Sequence, residues 1–100
     1  MADPAASAVT LRLLTPQGLV SELRCRSVQL PLMDRADGRG GGSYAVFPGH
    51  TRAVLALEAG LVRARAEQKD ILKVRIPRAF ASVEGDVVTI LADSAETLTE

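Results

Sequence analysis

Little in this sequence is suited to reactive chemistry. Cys25 is the only cysteine, so neither an intrachain disulfide nor a thiolate metal cluster can form. A lone thiol fits a reducing compartment. Tryptophan is absent and only 3% of residues are aromatic, so the core must be built from Val, Leu, Ile and Ala. Twelve basic residues balance twelve acidic ones. That balance excludes the basic excess of a general nucleic-acid or anionic-membrane binder. No apolar run approaches the roughly 20 residues of a membrane span. The stretch Met1–Ala8 lacks a basic segment followed by an apolar one, so no signal peptide is read there. Membrane association is therefore expected only through a protein partner.

What is present is a chain of alternation and turns. One hundred residues, 47% of them hydrophobic, make one domain with one core. Residues 1–8 read as a flexible tail. Val9–Leu14 alternates as a strand, and Thr15-Pro16-Gln17-Gly18 is turn chemistry. From Leu19 to Arg26 the period is again two, with Leu19, Ser21, Leu23 and Cys25 on one face. Val28, Leu30 and Leu32 continue it, and Pro31 among them marks an edge strand or a strand end. The glycine-rich stretch from Asp34 to Gly42 has no apolar period and reads as an exposed loop. It leads into Tyr44–Phe47, a short strand, and Pro48-Gly49, which fits the centre of a type II turn. The turn presents His50, the only histidine.

Ala53–Leu57 is apolar enough for a core strand or a short helix; Gly60 and the β-type run after it favour the strand. Leu61–Ala66 and Ile71–Ile76 alternate around a polar turn at Glu67–Asp70. Ala79–Val83 and Val87–Ala92 flank a turn at Glu84-Gly85-Asp86, and Asp93 or Ser94 reads as the N-cap of a helix start. Short strands at this spacing, about nine in number, predict an antiparallel sandwich or barrel.

The search for chemistry finds no reactive constellation. His50 has Thr51 beside it but no nucleophile signature around it. The glycine loop runs into a strand rather than a helix and lacks the G-K-[ST] of a phosphate loop. Asp34 and Asp37 lack the third ligand and closing Glu of a calcium loop. Cys25 lies on an apolar face, where a small core residue is expected. Arg63, Arg65, Lys73 and Arg75 form either an ordinary solvated face or a contact surface for an acidic partner. No catalytic residue, metal site or cofactor is expected.

Four motifs in order then carry a resemblance. They are Leu13–Val20, the loop followed by Phe47-Pro48-Gly49-His50, Leu57–Arg63, and Val88–Glu96. Together they resemble the epsilon subunit of bacterial F-type ATP synthase over residues 9–96, with 97–100 as a tail. The resemblance implies an all-β sandwich of about ten short strands, without the C-terminal helical hairpin that such subunits carry. It implies a non-catalytic rotor component in the central stalk, linking the gamma subunit to the c-ring and coupling proton or sodium translocation to ATP synthesis and hydrolysis. It implies a peripheral position on the cytoplasmic face of the bacterial inner membrane. Carried onto this chain, the c-ring-facing loop is Asp34, Arg35, Ala36, Asp37, Gly38 and Arg39. The gamma-facing residues are His50, Thr51, Arg52, Thr15 and Pro77. The loop is longer than the family's, and Pro77-Arg78-Ala79 replaces its Ser-Gly-Gly. The competing reading is a freestanding β-sandwich ligand-binding module, prompted by the glycine loop.

Overall fold

A computed structural model describes residues 8–31, 43–49, 52–66 and 69–98. Ten strands follow in chain order. They are β1 (Val9–Thr15), β2 (Gly18–Cys25), β3 (Ser27–Pro31), β4 (Ser43–Val46), β5 (Ala53–Leu57), β6 (Gly60–Ala66), β7 (Lys69–Ile76), β8 (Ala79–Glu84), β9 (Val87–Ala92) and β10 (Glu96–Leu98). They form two five-stranded sheets, ordered β2-β1-β9-β8-β5 and β10-β7-β6-β3-β4. Of the sandwich or barrel that the alternation predicts, the observed architecture is the sandwich, as the resemblance implies.

The core lies between the sheets because each strand turns its apolar face inward. Val9, Leu11 and Leu13 of β1 meet Val88 and Ile90 of β9, Val62 of β6 and Val74 of β7 in one buried cluster. Aliphatic side chains fill it. Tyr44 is partly buried against its margin, and Phe47 and Phe80 are both exposed. Cys25 is buried, as its strand face predicts, and its thiol donates to the Val9 carbonyl at 3.5 Å. Burial pushes the thiol pKa up, against backbone hydrogen bonds from Arg65 and Ser27.

Several details depart from the sequence reading, each for a backbone reason. The β1–β2 register shifts between Leu13 and Leu14, so Leu13 faces Ser21 while Leu14 faces Leu19. That bulge moves Leu19 to the outer face, away from Leu23 and Cys25. Asp70 belongs to β7 rather than to a turn, because it pairs across from Arg65. Of the two readings of Pro31, the strand end holds rather than the edge strand, since Pro31 ends β3, an interior strand of its sheet. One ladder, β1 with β9, is parallel within an otherwise antiparallel set. Asp93-Ser94 starts no helix; the chain bends there and Glu96–Leu98 pairs with Arg75–Lys73 at the edge of β7. Ladder hydrogen bonds satisfy that backbone, and Thr97 and Leu98, assigned to a tail by the sequence, lie in the strand.

The ladders define two ends of the sandwich. Thr15–Gly18, Pro31, Ser43, Glu58–Gly60, Pro77-Arg78 and Asp93 gather at one, the Pro16 end. Val9, Cys25, Gly49, Arg52, Ala66 and the Gly85-Asp86 turn gather at the other, the Asp86 end. Both central residues of that turn have positive φ, 58° and 65°, the signature of a type I′ hairpin matched to strand twist.

Candidate functional site

The described residues assemble no reactive centre. No group of three or more His, Cys, Asp or Glu among them is placed to hold a metal ion. No helix among them is long and apolar enough to cross a membrane. The structure instead offers surfaces.

The outer face of the first sheet is graded along its strands. Cross-strand pairing aligns Ala56, Phe80, Leu91, Leu14 and Leu19 in one row over all five strands. Phe80 is 63% exposed, Leu91 58% and Leu19 52%. With strands about 4.8 Å apart, the row spans roughly 19 Å. One step along lies a mixed row, Val54, Ser82, Thr89, Arg12 and Glu22, with Arg12 Nε 3.1 Å from Glu22 Oε1. The next step, at the Asp86 end, is mostly polar and charged: Arg52 meets Glu84 at 3.1 Å, and Val87, Thr10 and Arg24 complete the row. The apolar row continues into a cleft of about 290 Å³ lined by Leu14, Thr15, Pro16, Leu91, Ala92 and Asp93. An apolar band ending in a socket is the form of a surface that a second protein covers.

Sequence reasoning did not find this band. In β8 the alternation sets Ala79, Ala81 and Val83 against Phe80, Ser82 and Glu84. The side carrying the only aromatic residue of the strand faces out. The signal available was the mismatch itself, a large apolar residue interleaved with small ones.

The predicted contact residues separate. Thr15 lines the cleft beside the apolar row, and Pro77 sits at the same end, between β7 and β8. Arg52 lies at the opposite end, about 15 Å away along the strands. His50 and Thr51, and the loop residues Asp34, Arg35, Ala36, Asp37, Gly38 and Arg39, lie outside the described residues. Their described flanks are placed: Pro31 and Ser43 lie at the Pro16 end, and Gly49 and Arg52 at the Asp86 end. Gly49, with φ of 82°, donates its N–H to Asp86 Oδ1 at 2.7 Å, which ties the Pro48-Gly49 turn to the β8–β9 hairpin. The Asp86 carbonyl accepts from Thr10 N at 2.9 Å, so one residue joins β1, the hairpin and the turn.

The outer face of the second sheet carries Arg63, Arg65 and Lys73 around Asp70. Asp70 lies 3.0 Å from Arg65 Nε and 4.0 Å from both Arg63 and Lys73. Arg75 pairs at 3.7 Å with Glu96, which lies across from it on β10. The four cations that the sequence puts on one face are therefore together, with two carboxylates among them.

Comparison with known proteins places this geometry. The sequence profile of the family described as "ATP synthase, Delta/Epsilon chain, beta-sandwich domain" matches residues 8–98. The ATP synthase epsilon chain of Synechococcus elongatus is 32% identical over 88 residues, which is 88% of this chain and 58% of that one. The epsilon chain of Desulfitobacterium hafniense is 32% identical over 91 residues, 91% of this chain and 63% of that one. This chain thus spans about three fifths of the length of these curated relatives. Among solved structures, a chain of the Euglena gracilis mitochondrial ATP synthase (OSCP/F1/c-ring) superposes with a TM-score of 0.73 over 97% of this chain and 56% of that one, at 21% identity. A chain of the Tetrahymena thermophila mitochondrial ATP synthase central stalk and c-ring gives 0.64 over 88% and 65%, at 12% identity. At such identities these two matches speak to the fold.

Proposed function

We infer function from one premise: the chain belongs to the ATP synthase delta/epsilon chain beta-sandwich family. In this reading it is a non-catalytic, epsilon-type subunit of the rotor stalk of an F-type ATP synthase. It grips the gamma subunit, rests on the c-ring, and passes rotation between ion translocation and ATP synthesis or hydrolysis. Its place is peripheral, on the cytoplasmic face of a bacterial inner membrane, held there by the complex.

The observation that carries the reading is the apolar row on the first sheet together with its end cleft. A stalk component needs two grips on one stiff body. The broad face carrying Phe80, Leu91 and Leu19 suits gamma, with Thr15 and Pro77 at its rim. The segment between Pro31 and Ser43, which includes Asp34–Arg39, leaves from the end of the body and suits the polar loops of a c-ring. Arg52, with His50 and Thr51 beside it in sequence, would make a second, polar gamma contact at the other end of the same face.

The test is binding to purified gamma. The double variant Phe80→Ser, Leu91→Ser changes two exposed side chains, so stability should move by no more than about 1 kcal/mol. Gamma binding should weaken by at least a hundredfold, as expected when the apolar anchors of an interface are removed. A folded double variant that binds gamma as the parent does would remove this face from the stalk contact. The rival ligand-module reading predicts small-molecule binding in calorimetry, and the rotor reading predicts none.

A further inference from the structure

Four strands form the sheet edges, and three of them are blunted against pairing with another chain. β10 is three residues long and β4 is four. β2 carries the register shift opposite Leu13/Leu14 and the charged side chains Glu22 and Arg24. Short length, bulges and charge are the devices that keep sheet edges from pairing. β5 has none of them. Among the described residues it pairs with β8 alone, in even register from Ala53 to Leu57. Its sequence, Ala-Val-Leu-Ala-Leu, contains no charge and no proline. Val54, 76% exposed, is the most exposed large apolar side chain described.

We propose that the free edge of β5 is a docking edge for β5 of a second copy of this chain, paired antiparallel about a two-fold axis at Leu55. The argument for that occupant is self-complementarity. With Leu55 opposite its own symmetry mate, Ala53 faces Leu57 and Val54 faces Ala56 of the second copy. Arg52 then faces Glu58 of the second copy at both ends of the ladder, so opposite charges meet twice. Within one chain Arg52 already pairs with Glu84 at 3.1 Å and Glu58 with Arg78 at 3.0 Å. The pairing therefore builds two four-membered chains of alternating charge, Glu84–Arg52 from one copy and Glu58–Arg78 from the other. A symmetric, isologous contact of this kind closes at two copies and leaves no further edge of its type open. It joins two five-stranded sheets into one of ten, in which the apolar row of each copy, ending at Ala56, meets Val54 at the head of the other copy's mixed row. One five-residue ladder buries less than a standard stable interface, so the association is weak and depends on concentration. It is a property of the free chain and goes beyond the rotor reading.

The experiment is sedimentation of the whole chain from low to high micromolar concentration, with amide hydrogen exchange read on β5. A monomer–dimer equilibrium with β5 amides slowed at high concentration is expected. Val54→Lys puts a charge on the edge and should leave a folded monomer throughout. Arg52→Glu and Glu58→Arg should each be monomeric alone, through like-charge contacts at both ends, and should form a heterodimer when mixed. A parent chain that stays monomeric overturns the proposal. So does a dimer that survives Val54→Lys, or single reversals that dimerise as the parent does. A folded Phe80→Ser chain that is monomeric while Val54→Lys still dimerises would move the contact to the outer face and overturn it equally.

Discussion

Asp86 shows how much one residue can decide. Its φ of 65° is a conformation that side-chain-bearing residues seldom adopt, and Asp is among the few that tolerate it. Its carboxylate holds the Gly49 N–H and its carbonyl the Thr10 N–H. Asp86→Gly should keep the type I′ turn and lose the carboxylate bond, at a cost of about 1 kcal/mol. The check is faster exchange of the Gly49 amide with β8–β9 exchange unchanged. Cys25 allows a pH prediction. Its folded pKa is raised by burial, so the folded state holds the thiol proton more tightly than the unfolded chain does. That contribution is complete below the ordinary thiol range and is lost as pH rises through the raised value. Denaturation of the parent and of Cys25→Ala at neutral and alkaline pH should show the stability gap between them shrinking as pH rises. A constant gap would contradict the assignment.

At the scale of elements, the corner between the sheets is tight. Glu58 N donates to the Pro31 carbonyl at 2.9 Å, and a Cβ on Gly60 would sit 3.1 Å from Pro31 Cβ. Gly60→Ala should cost about 1–2 kcal/mol through overpacking at this corner, measured by urea denaturation, while Gly85→Ala acts through φ alone. Strand positions were legible in the sequence because period-two alternation and Pro/Gly/Asp turns are local signals. Pairing details were not. The face of Leu19 depends on a bulge opposite β1. The strand at Glu96–Leu98 depends on an open edge of β7 that lies about twenty residues back in the chain. No local pattern encodes either.

For the whole molecule, the useful property is separation of surfaces. The apolar row lies on a sheet face, and the segment 32–42 leaves from the Pro16 end. Shortening Asp34–Gly42 should therefore weaken c-ring association while gamma binding stays within about threefold, and the Phe80/Leu91 double variant should do the reverse, since sites without shared partners act additively. Pull-down against gamma and against c-ring checks both arms. A single variant that abolishes both contacts would mean one continuous surface.

By itself the sequence determined the class of the fold, its aliphatic core and its family, because composition, alternation and ordered motifs are properties of the chain read residue by residue. It also put Arg63, Arg65, Lys73 and Arg75 on one face, since spacing by two keeps strand neighbours together. The tertiary structure decided which faces point out. Phe80, Leu91 and Leu19 form a band only because β8, β9, β1 and β2 pair in one register, and residues far apart in the chain share a surface only through those ladders. Thr15 and Arg52 part for the same reason: strand direction, not sequence distance, sets the end at which a loop emerges.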